Sequence, residues 1–131
     1  MIRDPIPDDV KRFILLAIPS IPHLEALLLL RGEGDAPWDA RRVAQRLYMH
    51  EKKTNELLSD LYAAGFLSRA QMDPEPAVFE YAPSTDEVRE MLDRLAGIYA
   101  RNLVDVTNLI HSKTSRKAQQ FADAFKWRKD S

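Results

Sequence analysis

Apolar residues change their spacing several times along the chain, and each change marks an element. Val10 to Ile18 (VKRFILLAI) reads as a short helix, with Pro19 and Pro22 bracketing a break after it. Ser20 or Pro22 then opens a second helix, HLEALLLLR, whose leucines are close to continuous. A helix that is apolar on every side must be buried from several directions. Gly32 and Gly34 stop it. Further on, Asp39 is placed to cap a helix in which Val43, Ala44 and Leu47 form an apolar face over two turns. The pattern breaks at Tyr48 to His50. It resumes in HEKKTNELLSDLYAAGF, His50 to Phe66, where Thr54, Leu57, Leu58 and Leu61 recur at helical spacing and Gly65 ends the run. Phe66 and Leu67 begin an extended segment, MDPEP turns the chain, and VFEYA alternates as a returning strand. Val78 and Glu80 face one way there, Phe79 and Tyr81 the other.

After Pro83, Ser84 or Thr85 caps a long helix reaching about His111. Its apolar positions Val88, Leu92, Leu95, Tyr99, Val106 and Leu109 advance by four and three, with Asn102 filling the gap, which is a heptad seam. Met91, Ile98, Leu103 and Ile110 widen the stripe beyond what the small domain itself covers. These seven seam positions are therefore candidates for a homodimer interface, with Asn102 fixing register. The alternative is that the helix folds back over the Leu27 to Leu30 ridge of a monomer. A basic tail follows, with six basic and two acidic residues from Val106 to Ser131. Phe121 and Phe125 share a helical face in it beside Trp127, as candidate contacts to a partner subunit, a DNA backbone or an acidic surface.

Composition narrows the chemistry. The 131 residues include 19 basic and 20 acidic ones, so a phosphate ligand would need basic groups gathered locally. There is no cysteine, which removes disulfides, thiolate catalysis and cysteine-based zinc sites. His23, His50 and His111 lack metal-ligand spacing, and GEGD does not complete a phosphate loop. His50 fits a cap or surface position, and His111 suits the end of a helix. No acid pair stands out for proton transfer, so no enzyme activity, metal or cofactor is expected. The start MIRDPIPDD is not a secretory signal, and the longest apolar run, Ala26 to Leu30, is too short for a bilayer. A cytoplasmic protein without a membrane partner is the expectation.

The order helix, short helix, tight turn, longer helix and two strands around a proline-containing turn resembles the winged helix-turn-helix class of bacterial regulators. The likeness covers Ile21 to Ala82 and is looser to the MarR-like members, which add long helices for dimerisation. It implies a mainly α fold with a small β-hairpin. Residues 1–20 would form an arm and short helix, 21–83 the winged domain, 84–112 the dimerisation helix and 113–131 the basic tail. In that class the second helix of the motif enters the major groove and the hairpin wing reaches the neighbouring backbone. Asp39 to Leu47 would be the supporting helix, Glu51 to Ala64 the recognition helix, and Arg69 with Met72 to Pro76 the wing.

On that resemblance the DNA-contact candidates are Arg41, Arg42, Arg46, Lys52, Lys53, Asn55, Ser59 and Arg69. Asn55 suits adenine, Lys52 or Lys53 suits guanine or phosphate, and the arginines suit phosphate. Charge resists this reading. Asp39 to Ala64 holds five basic and four acidic residues, and the wing sets Arg69 against Asp73, Glu75 and Glu80. Two functions therefore stand: a homodimeric regulator of transcription on duplex DNA, and a winged-helix module that binds a protein partner. The resemblance also makes an effector pocket beside the dimer helix conceivable, but no residue selects a ligand. Trp38 reads as core edge or partner hot spot. Tyr48 either touches a sugar-phosphate or covers the helix junction.

Overall fold

The proline break after Ile18 becomes a sharp corner. The computed structural model describes residues 6–33, 36–71 and 76–113. In it α1 (Asp8–Ala17) and α2 (Ile21–Gly32) are bent by 107° to one another. Helix α1 starts two residues before the apolar run because Asp8 and Asp9 suit the positive end of a helix. Ser20 caps α2, its Oγ accepting from the His23 N–H at 3.3 Å, and Pro22 sits in the first turn, where its missing N–H costs nothing. Leu24, Ala26, Leu27 and Leu30 of α2 are buried, as its leucine-rich sequence requires. No single helix among the described residues is long and apolar enough to cross a membrane.

The Asp39 carboxylate accepts from the Arg42 N–H at 2.8 Å and starts α3 (Ala40–Leu47). Helix α3 stops at Tyr48, which adopts φ 56 and ψ 51, so the chain turns before α4 (Glu51–Ala63). Left-handed backbone costs a residue with a Cβ about 1–2 kcal/mol. Thr54 is a buried polar residue whose Oγ1 donates to the His50 carbonyl at 2.8 Å, leaving its methyl for the core. Gly65 ends α4 at φ 87, and the Phe66 N–H closes back on the Leu61 carbonyl at 3.1 Å.

Strands β2 (Leu67–Ala70) and β3 (Val78–Tyr81) then pair antiparallel, with Leu67 opposite Tyr81 and Arg69 opposite Phe79. The sheet holds a third strand that the pattern of the chain did not predict. Trp38–Asp39 forms β1 on the other side of β3, with Trp38 opposite Phe79. Two residues are too few for alternation to register. Trp38 is 1% exposed, which takes it from the edge into the core and rules it out as a surface hot spot. The turn residues Met72 to Glu75 lie outside the described residues.

Thr85 caps α5 (Asp86–Arg101), its Oγ1 accepting from the Val88 N–H at 3.1 Å. The helix does not run unbroken to His111. Asn102 leaves helical geometry at φ −127 and ψ 48, and a further helix, α6, spans 103–113. Asparagine is poor inside helices and good at their starts, and here its carbonyl accepts from the Val106 N–H at 3.0 Å. Asn102 is thus a break between two helices rather than a polar residue inside one continuous seam.

Leu92, Leu95, Tyr99 and Val106 of that seam are buried within this chain, in one core with Val10, Ile14, Leu24 and Leu27. Val88, Asn102 and Leu109 remain half-buried. The fold-back over α2 therefore describes this part of the chain. Polar bonds fasten it: Arg31 to Asp93 at 2.9 Å, and Tyr99 Oη donating to Glu25 Oε1 at 2.6 Å. Arg94 pairs with Asp9 on α1 and holds that carboxyl below its ordinary range. Phe121, Phe125 and Trp127 lie outside the described residues.

Candidate nucleic-acid interface

Lys52, Asn55 and Ser59 are three and four residues apart on α4, which puts them on one side of the helix. They line an open groove of about 770 Å³ between α4, the first turn of α3 and the strands. Arg41 enters from α3 and Arg69 from β2, so five of the eight predicted contact residues meet in one concavity. The Arg69 guanidinium lies over the Tyr62 ring, 4.6 Å from its centroid, which ties the root of the wing to α4.

The groove is not purely basic. Asp39 and Glu51 line it as well, against Arg41, Lys52 and Arg69. The Asp39 carboxylate is engaged by the helix cap, but Glu51 is exposed at the start of α4. The set offers two guanidinium forks, an ammonium, an amide and a hydroxyl around one concavity. Such groups bind phosphates and the edges of bases.

The other three candidates point elsewhere. The Arg42 guanidinium stacks on Trp38 at 4.4 Å and donates to the Pro37 carbonyl at 3.1 Å. Arg46 lies 5.6 Å from the same ring and 3.8 Å from Glu33. Lys53 is 3.9 Å from Glu56 and faces a separate recess of about 130 Å³ beside α2. A buried tryptophan thus takes two arginines that sequence alone leaves free for DNA.

That small recess holds an arrangement the sequence did not announce. The His23 ring is held between Ser20 Oγ, 2.6 Å from Nδ1, and Asp60 Oδ2, 2.8 Å from Nε2. His23 and Asp60 are 37 residues apart, so no local spacing signals the pair. His50 occupies the cap position of α4 without a side-chain bond there, and it is exposed, as is His111. Among the described residues no cluster of three or more His, Asp or Glu side chains is arranged to hold a metal ion. Tyr48 is 96% exposed and does not cover the helix junction.

No family model matches the chain, and no curated protein matches it in sequence. Solved structures do share its shape. The adhesin competence repressor of Streptococcus pyogenes superposes over 95% of each chain with a TM-score of 0.50 and 14% identity. A MarR-family transcriptional regulator from Rhodococcus sp. RHA1 matches 89% of this chain and 79% of its own, also with a TM-score of 0.50 and 14% identity. The RV1404 protein of Mycobacterium tuberculosis is 17% identical at a TM-score of 0.48, and this chain spans 65% of its length. At such identities the likeness is one of fold, and the fold is the winged helix of a solved MarR-family regulator.

Proposed function

We propose that the chain is a regulator of transcription that binds duplex DNA as a homodimer. The observation that carries this reading is the groove in which Arg41, Lys52, Asn55, Ser59 and Arg69 converge. Helix α4 enters the major groove with Lys52, Asn55 and Ser59 towards the base edges. Arg41 and Arg69 flank it as phosphate contacts. The winged fold shared with a solved MarR-family regulator supports the same reading.

A second chain supplies what one copy lacks. The groove's balance is three basic residues to two acidic, so affinity depends on doubling the contacts across a two-fold axis. Leu103 and Val104, 53% and 60% exposed at the start of α6, provide apolar surface for that axis. The protein works in the cytoplasm, where its DNA is.

The acidic members of the groove favour one alternative, a winged-helix module for a protein partner, because Glu51 opposes phosphate at the start of α4. Binding of duplex DNA at two salt concentrations separates the two. The regulator binds more weakly as salt rises and loses affinity on Lys52→Glu. Absence of binding at low salt by a chain that light scattering finds dimeric points to the interaction module.

A further inference from the structure

Tyr48 is the only residue other than glycine with positive φ among the described residues, and its side chain is 96% exposed. These two facts pull against each other. The turn needs a left-handed residue, since the Met49 N–H must close on the Ala44 carbonyl at 3.0 Å to end α3. Glycine or asparagine would supply that conformation with less strain. A tyrosine that packs on nothing gives the folded chain no return for the strain it carries. Residues held this way are concentrated where a ligand uses them.

We infer that Tyr48 is a docking residue for the sugar-phosphate backbone of DNA lying in the α4 groove. This rests on the regulatory reading above. Glu51 and Lys52, which line the groove, follow within four residues, a stretch that spans at most about 14 Å. The backbone of Tyr48 therefore lies within that reach of Glu51 and Lys52, and a strand leaving the groove on their side would bring its phosphates to the phenol. A phenol fits that place. Its hydroxyl donates to a phosphate oxygen while its ring lies against the deoxyribose. Of its chain neighbours, Gln45, Arg46, His50, Glu51 and Lys52 are exposed and polar, while the apolar pair beside it, Leu47 and Met49, is half-buried and packed against the core. A hot spot for a protein partner would instead be set in a well-packed apolar surround. The surroundings favour the nucleic acid.

The experiment uses the full chain, thermal unfolding, and fluorescence anisotropy with a duplex selected from a random pool by the wild-type protein. Tyr48→Gly and Tyr48→Asn keep the turn, so both unfold at or above the wild-type temperature. Both bind the duplex more than about tenfold more weakly, because a lost hydrogen bond to a charged group is worth about tenfold by itself and the ring's contact with the sugar is lost with it. Tyr48→Phe loses the hydroxyl alone and falls between them and wild type. Because the phenol carries no charge, the salt dependence of binding keeps its slope in all three variants. Wild-type binding with an equally tight Tyr48→Gly variant overturns this inference and leaves the regulatory reading standing. Retained DNA binding with loss of a protein partner reassigns Tyr48 to that partner and overturns it too. A wild-type chain that selects no duplex at low salt removes both.

Discussion

His23 joins α2 to α4 through Asp60, its Nε2 lying 2.8 Å from the carboxylate while Ser20 holds the other ring nitrogen at 2.6 Å. The ring is largely buried and Asp60 largely exposed, so the cap serine orients the ring and the ring sets where α4 sits. The side of α4 that carries Asp60 is not the side that lines the groove, whose α4 residues are Glu51, Lys52, Asn55 and Ser59. The bond holds the groove-lining helix from behind.

Replacing His23 by alanine therefore lowers stability by about 1 kcal/mol, the ordinary net worth of a side-chain hydrogen bond with a partly exposed partner. Asp60→Asn costs less, because its amide oxygen still accepts. Urea unfolding of both single variants and the double variant gives the coupling energy directly. A coupling of zero would mean that the pairing holds nothing.

Lys52 and Lys53 are adjacent in sequence but face different recesses, so their charge reversals separate. Lys52→Glu weakens DNA binding strongly and reduces the slope of log affinity against log salt, by about 0.9 for the one phosphate that the side chain no longer neutralises. Lys53→Glu leaves that slope nearly unchanged, because Lys53 lies beside Glu56 and α2. Equal effects in the two variants would contradict the groove assignment.

Gly65 takes a side chain only if Ser84 shifts. Its φ of 87 is strained for any residue with a Cβ, and an added methyl would stand 2.9 Å from Ser84 Oγ. Gly65→Ala lowers the unfolding free energy by about 2 kcal/mol, and Gly65→Asn by less, since asparagine tolerates the left-handed region. Denaturant titration reads both. An alanine variant as stable as wild type would mean that the α4–β2 corner is not fixed by this residue.

Tyr99 has its hydroxyl pKa pushed up to about 12, first by burial and then by the bond to Glu25. The folded state thus keeps the neutral phenol where an unfolded chain, titrating near its ordinary value of 10.0, would lose the proton. The stabilisation is complete below about pH 10 and is lost as pH rises through about 12. Alkaline titration by phenolate absorbance should show a late component that Tyr99→Phe removes. The same substitution flattens the decline of stability between those two pH values.

Much of the architecture was legible before folding. The break at Tyr48 to His50, the stop at Gly65 and the Phe79 side of the returning strand follow from turn chemistry and spacing. That Lys52, Asn55 and Ser59 share one side of α4 was legible as well, because spacing of three and four on a helix fixes it, whereas the arrival of Arg41 and Arg69 in the same groove was not. Nor were the places of Arg42 and Arg46, since an arginine reads the same whether it faces phosphate or lies on a tryptophan ring. The heptad seam misled for a related reason. An apolar stripe records that something covers it, and is silent on whether that is a second chain or α1 and α2 of its own.

By itself, the sequence determined where α2, α3 and α4 begin and end, because capping, proline and glycine act over a few neighbouring residues. Only the tertiary structure decided that Trp38 is core, that Asn102 divides the last helix, that His23 reaches Asp60, and that Tyr48 stands bare. Those outcomes depend on residues far apart in the chain competing for the same buried space, and no local pattern encodes which of them wins.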